Sequence, residues 1–237
     1  MDWSDFDAAL FDLDGVLTPT ALVHMEAWKQ TFEEFLTAQH PEMAPYTDRD
    51  YFDFVDGKPR YAGVRSFLAS RGIELPEGQA TDAAEVLTVC GLGNRKNRTF
   101  EQILETDGVE AYPGSRRLVE ALEARDVKLA VVSSSRNAPT VLEAAGLLSH
   151  FPTIVDGVVA GERHLAGKPA PDTFVYAADL VGVRPARCVV VEDALSGVQA
   201  GRAGRFGCVV GVDRGAGADA LKHHGADLVV EDLAELL

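Results

Sequence analysis

Two aspartates one residue apart, Asp12 and Asp14, close a short apolar run from Ala8 to Phe11, and Gly15 follows at once. Carboxylates are almost never buried without a partner. A pair of them where a core strand meets a glycine turn therefore points to a metal or a reacting anion. Alone, the same pair has a second, plainer reading as a solvated strand end. Three further places carry matching chemistry. Ser133-Ser134-Ser135 follows a Val-rich run, Gly167-Lys168-Pro169 pins a lysine between two backbone-restricting residues, and Glu192-Asp193 ends the run Cys188–Val191. Clustered carboxylates repel unless a cation sits among them, and hard oxygen ligands of this kind suit Mg²⁺. No His/Cys cluster is spaced for zinc. A fixed lysine can balance phosphate charge, and the Ser133 hydroxyl with the N–H groups of its turn can donate to phosphate oxygens. Together these residues describe phosphoryl transfer through an aspartyl-phosphate.

The elements around them must bring these residues to one place. Val127–Val132, Ile154-Val155, Cys188–Val191, Val209-Val210 and Leu228–Val230 read as strands, with amphipathic helices between them. Helices starting at Pro139 and Pro171 stop at Gly146 and Gly182, the usual Pro-in, Gly-out asymmetry. Strands that are apolar on both faces and alternate with helices predict an α/β fold, a doubly wound parallel sheet. Ligands bind such sheets beyond the carboxyl ends of the strands, so Asp12/Asp14, Ser133/Ser135 and Glu192/Asp193 should line one crevice. From Thr20 to about Asp107 the pattern is helical: Met25, Trp28, Phe32 and Phe35-Leu36 form one stripe, Val64, Phe67 and Leu68 a second, Phe100, Ile103 and Leu104 a third. The sequence thus divides into a core, 1–19 and 107–237, and an inserted helical cap, 20–106.

Composition excludes several classes. The chain has 237 residues, 46% hydrophobic and 25% charged, with a net charge of -15. That balance argues against nucleic acid and against an anionic membrane surface as partners. Cys90, Cys188 and Cys208 are widely spaced and odd in number, which suggests no disulfide framework and a reducing cytoplasm. No signal-peptide pattern and no run long enough to span a membrane is evident. The expectation is a cytoplasmic protein acting as a monomer on a small molecule.

The order DxDGVLT, strand plus Ser, GKP and VVVED resembles the haloacid dehalogenase superfamily of phosphotransferases, over essentially the whole chain. The resemblance implies a Rossmann-like core with a helical cap. It implies that Asp12 is the nucleophile and Asp14 the general acid/base, whose backbone carbonyl also ligates Mg²⁺. Ser133 then holds the transferring phosphoryl group and Lys168 neutralises charge between it and Asp12. Asp193 completes the metal site, with Glu192 a ligand or one water away.

A finer resemblance is to the β-phosphoglucomutase-like subfamily. Asp56-Gly57-Lys58-Pro59-Arg60 is similar to that group's substrate loop, where an arginine grips the phosphate remote from the reaction centre. Arg95-Lys96-Asn97 resembles its basic cap segment, and Ser133-Ser134-Ser135-Arg136-Asn137 its Ser-x-Ser-Lys-Asn turn with Arg for Lys. His24 and Trp28 fall where the group has a His and a Trp. His24 could link to Asp14 or be a half-buried polar residue on an amphipathic helix; for Arg95 and Arg98 the alternative is a solvated basic face. The substrate contacts expected are thus His24, Gly57, Lys58, Arg60, Lys96, Ser135, Arg136 and Asn137. A mutase needs an anion site for both ends of a sugar bisphosphate, and these residues supply the second. The resemblance implies interconversion of β-glucose 1-phosphate and glucose 6-phosphate; the alternative is a sugar-phosphate phosphatase. One departure bears on that choice: Pro19 stands where the common hinge DGVxTDT has an acid. A stiffer hinge could alter cap closure and let water reach the phospho-aspartate.

Overall fold

Ala8, Ala9, Leu10 and Phe11 are fully shielded from solvent and form β1 (Ala8–Phe11), an inner strand of a six-stranded sheet. In the computed structural model, which describes residues 1–237, the strand order is β3-β2-β1-β4-β5-β6. The other strands are β2 (Lys128–Val132), β3 (Thr153–Val155), β4 (Cys188–Glu192), β5 (Cys208–Val212) and β6 (Leu228–Val230). All five pairings are parallel. Phe11 registers with Val131 on one side and Val191 on the other, so the ends of β1, β2 and β4 lie level. Between β1 and β4 the strand order reverses direction, and at such a switch point the loops diverge and leave a crevice.

The helices are α1 (Thr20–Gln39), α2 (Asp48–Asp50), α3 (Arg60–Ser70), α4 (Val89–Asp107), α5 (Pro113–Glu123), α6 (Ala138–Ala144), α7 (Gly157–Glu162), α8 (Asp172–Val181), α9 (Leu195–Ala203) and α10 (Ala218–His224). One face of the sheet, through Ala8, Leu10, Ala130, Val132 and Val190, packs on Phe174, Ala177 and Ala178 of α8, Val198 and Ala200 of α9 and Leu221 of α10. On the other, Phe11 meets Phe151 edge to face at 6.0 Å, and α5 buries Leu118, Val119 and Leu122. Burial on both faces explains why these strands read as continuous apolar runs.

The chain folds as two units, Met1–Thr20 with Val109–Leu237, and Ala21–Gly108. Their boundaries fall a residue or two later than the sequence suggests. The second unit is entirely helical. Its core gathers Trp28, Phe32, Phe35 and Leu36 of α1, Tyr46 before α2, Val55 just before α3, Val64, Phe67 and Leu68 of α3, and Val89 and Leu92 of α4. Phe32 stacks on Trp28 at 5.1 Å and meets Phe67 at 4.0 Å. Local signals set its ends: Thr88 Oγ1 accepts the Gly91 N–H at 2.9 Å and caps α4. α2 runs directly into a π-helical turn, Tyr51–Val55, which the apolar periodicity does not reveal. No helix is long and apolar enough to cross a membrane.

Candidate active site

The site is built where β2, β1 and β4 end side by side. Lys168 is its hub. Its Nζ donates to Asp12 Oδ1 at 2.5 Å, to Glu192 Oε1 at 2.6 Å and to the Val132 carbonyl at 3.1 Å. One ammonium therefore ties together the ends of three strands and spans the switch point. It is 4% exposed, with its Nζ 5.0 Å from the centre of the Phe174 ring. Burial works against the lysine's charge, but Asp12 and Glu192 outweigh it and hold its pKa above the ordinary value. For Asp12, burial pushes the carboxyl well up; Lys168 opposes this, while Glu192 and Asp14 add to it.

Glu192 is the last residue of β4 rather than part of the loop after it. Its second oxygen accepts the Ala194 N–H at 2.8 Å, so both oxygens have protein donors. The α9 backbone comes close enough to allow this only because position 197 is glycine: a Cβ there would lie 1.7 Å from Glu192 Oε1. Asp193 folds against Gly15 in the same manner. A Cβ on Gly15 would fall 1.8 Å from Asp193 Oδ2, and its φ of +84° already favours glycine.

Asp14 is held from two sides. Thr20 Oγ1 donates to its Oδ1 at 2.5 Å, and Ser133 Oγ approaches Oδ2 at 3.4 Å. Thr18 and Thr20 hydroxyls are 2.7 Å apart, both fully buried. Hydroxyls four and six residues beyond Asp14 are the only trace of these threonines in the sequence, and Pro19 between them masks it. Ser133 Oγ accepts the Ser135 N–H at 3.0 Å, and Ser135 Oγ the Asn137 N–H at 3.2 Å, which makes the serine turn a run of side-chain-fixed backbone. Arg136 is exposed beside it.

Asp12, Asp14, Glu192 and Asp193 are not gathered three or more to one point as ligands of a bound ion are. Their chemistry nonetheless fits a hard divalent cation. The donors on offer are carboxylate and backbone carbonyl oxygens, the hard ligands such an ion takes.

The remaining predicted residues lie in the helical unit. Lys96 of α4 is 5% exposed; its Nζ contacts His24 Nδ1 of α1 and sits 5.2 Å and 4.9 Å from the Trp28 and Phe100 ring centres. His24 stacks on Phe100 at 4.1 Å. Arg60 opens α3, and its Nη2 donates to Asn97 Oδ1 at 2.5 Å, while Asn97 donates to Glu101. Gly57 takes a φ of +68° in the turn before it. Lys58 turns back onto the Phe54 carbonyl and Ser66 Oγ, both at 2.8 Å, and burial lowers its pKa against the pull of Asp56. Arg95 donates to the Ala84 carbonyl, and Arg98 pairs with Glu85 at 2.6 Å on the surface.

Known proteins resemble the chain across its length. A family model for haloacid dehalogenase-like hydrolases matches residues 6–205. A β-phosphoglucomutase from Mycobacterium bovis is 51% identical over 97% of this chain and 91% of its own. One from Bacillus subtilis is 35% identical over 96% and 94%. The crystal structure of a β-phosphoglucomutase from Clostridium difficile superposes with a TM-score of 0.77 at 25% identity, covering 98% of this chain and 93% of its own. Both the ordered motifs on the sheet edge and these likenesses lead to one assignment: the chain belongs to the haloacid dehalogenase-like hydrolase family, on its β-phosphoglucomutase-like branch.

Proposed function

We propose that the protein is a magnesium-dependent β-phosphoglucomutase of the cytoplasm, converting β-glucose 1-phosphate to glucose 6-phosphate through the 1,6-bisphosphate. The observation that carries the phosphoryl-transfer part is the buried Lys168 bridge between Asp12 and Glu192. The relative that is 51% identical supports the choice of sugar.

In this reading Lys168 holds Asp12 through Oδ1, which leaves Oδ2 to attack phosphorus. The Asp12–phosphorus bond forms as the bond from phosphorus to the sugar oxygen breaks, and Asp14 gives its proton to that departing oxygen. In the return step Asp14 takes the proton from the attacking sugar hydroxyl, and phosphorus leaves Asp12 for that oxygen. Ser133 and the fixed N–H groups of its turn hold the phosphoryl oxygens during both transfers. A Mg²⁺ held by Asp12, the Asp14 carbonyl and Asp193, with Glu192 beside it, supplies charge neutralisation of the phosphoryl oxygens.

Asp14 must be stable with and without its proton, and the hydroxyl pair beside it allows both. When Asp14 is ionised, Thr20 donates to it and Thr18 donates to Thr20. When Asp14 carries the proton, the chain reverses: Asp14 donates to Thr20, Thr20 to Thr18, and Thr18 to the Leu13 carbonyl, 3.4 Å from its Oγ1. No buried donor or acceptor is stranded in either state.

Arg60, aligned by Asn97, is the anchor for the phosphate that is not reacting, with Lys96, His24, Gly57 and Lys58 completing the sugar-phosphate contacts in the helical unit. Ser135, Arg136 and Asn137 serve the same end from the serine turn. The test is to supply Mg²⁺, β-glucose 1-phosphate and a trace of the bisphosphate. Glucose 6-phosphate should form with no net phosphate release, and a requirement for the bisphosphate should be evident. Free phosphate without glucose 6-phosphate would overturn the mutase and leave the sugar-phosphate phosphatase reading.

A further inference from the structure

The loop that carries both aspartates is fastened at three successive carbonyls. Arg214 Nε donates to the Gly15 carbonyl at 2.8 Å, Ser115 Oγ to that of Val16 at 2.7 Å, and the Tyr112 N–H to that of Leu17 at 3.0 Å. Ser115 and Tyr112 belong to the start of α5 and are near each other in sequence. Arg214 comes from elsewhere, the loop after β5. The family match ends at residue 205, so this contact comes from a part of the chain that the match does not reach.

Arg214 is itself fixed from several directions. Its Nη1 donates to the Glu231 carbonyl at 2.9 Å, and its guanidinium lies 4.0 Å from the centre of the Tyr112 ring. Its Nη2 is buried with no protein acceptor. The turn beneath it is tied by Asp213 Oδ1, which accepts the N–H groups of Gly215 and Gly217 at 3.0 Å each. Arg214 and Tyr112 thus grip the two ends of Gly15–Leu17 and stack on each other. Gly15 in turn is the residue against which Asp193 rests. Only a planar, forked cation can reach two carbonyls in different loops while stacking on a ring.

We propose that Arg214 is a positioning residue for the reaction: it locks the Gly15 carbonyl, and with it the loop that aims Asp12 and Asp14 and the surface that seats Asp193. The proposal rests on the phosphoryl-transfer reading for its kinetic consequence but not for its structural one. A misplacement on the order of 1 Å can cost about a hundredfold in rate. In Arg214→Ala and Arg214→Lys, kcat should therefore fall by tenfold or more, on the order of what such misalignment costs, with KM changed far less, and added methylguanidinium should restore part of the loss in Arg214→Ala.

The structural readout is amide hydrogen exchange by mass spectrometry on the same variants. Peptides covering residues 13–18 should exchange faster, while those of β4 and α9 should not change. An unaltered kcat with unaltered exchange at 13–18 overturns the proposal. So does an increase spread evenly over the whole core unit, which is the signature of a residue that only adds stability. Were the wild-type protein to convert no sugar phosphate, the mutase reading would fail, and the exchange comparison would still decide the role of Arg214.

Discussion

At the scale of single residues, the site depends on two glycines as much as on its acids. Gly197 lies inside α9, where alanine is the better helix former by about 1 kcal/mol. Propensity alone would make Gly197→Ala stabilising. The steric argument gives the opposite sign, because a Cβ there would sit 1.7 Å from Glu192 Oε1 and 2.0 Å from its Cδ. Glu192 must then move and loosen its hold on Lys168. Gly197→Ala should lose most phosphoryl-transfer activity, and its melting temperature should fall rather than rise; steady-state kinetics and calorimetry on the variant check both. The acids and the lysine were legible in the sequence because their types and order are unusual for a strand end. Thr20 and Arg214 were not, since what they do depends on distance in space. Arg214 and its acceptor Gly15 are 199 residues apart, and no local pattern encodes such a reach.

At the scale of elements, the strands and the long helices declared themselves through apolar runs and Pro/Gly punctuation. The pieces that did not were short: the π-helical turn at Tyr51–Val55, α7 and α10. Their stability comes from caps and packing more than from periodicity, as with Asp156, which accepts the N–H groups of Val158 and Val159 to start α7. Packing in the helical unit also contains a conflict. Tyr46 is wedged between Phe32 and Phe67, and its hydroxyl is buried with no protein partner. Burial, with Asp50, Asp48 and Asp56 adding to it, raises its pKa above the ordinary value. The folded state therefore keeps this proton when the unfolded chain, titrating near pH ~10, has released it. Its contribution to stability is present below about pH 10 and is lost as pH rises beyond that. Tyr46→Phe should stabilise the protein by about 1 kcal/mol at neutral pH by removing an unsatisfied hydroxyl. It should also flatten the alkaline loss. Urea midpoints at neutral pH and above pH ~10 give both numbers.

At the scale of the whole molecule, the two ends of the chain meet within the core unit. Trp3 is 3% exposed, and its Nε1 donates to the Leu236 carbonyl at 2.9 Å. Asp7 and Arg187 pair nearby at 2.7 Å, holding the start of β1 to the start of β4. Trp3→Phe keeps a ring in the pocket and removes the hydrogen bond, so it should cost about 1 kcal/mol in the urea midpoint while leaving the reaction untouched.

The strand order carries one more consequence, for how the chain reaches this state. β1 precedes the other five strands in sequence, yet it is an inner strand, and both of its neighbours come much later. β2 follows only after the whole helical unit has been synthesised, and β4 lies near the far end of the chain. Closing such long loops is slow, because their entropy must be lost before any pairing rewards it. Ala8–Phe11, four apolar residues with two open edges, must therefore wait unpaired in the nascent chain. The acids that flank it, Asp5 and Asp7 before and Asp12 and Asp14 after, repel like segments during that wait. The residues that make the finished site reactive thus also act as gatekeepers against aggregation before there is a site at all.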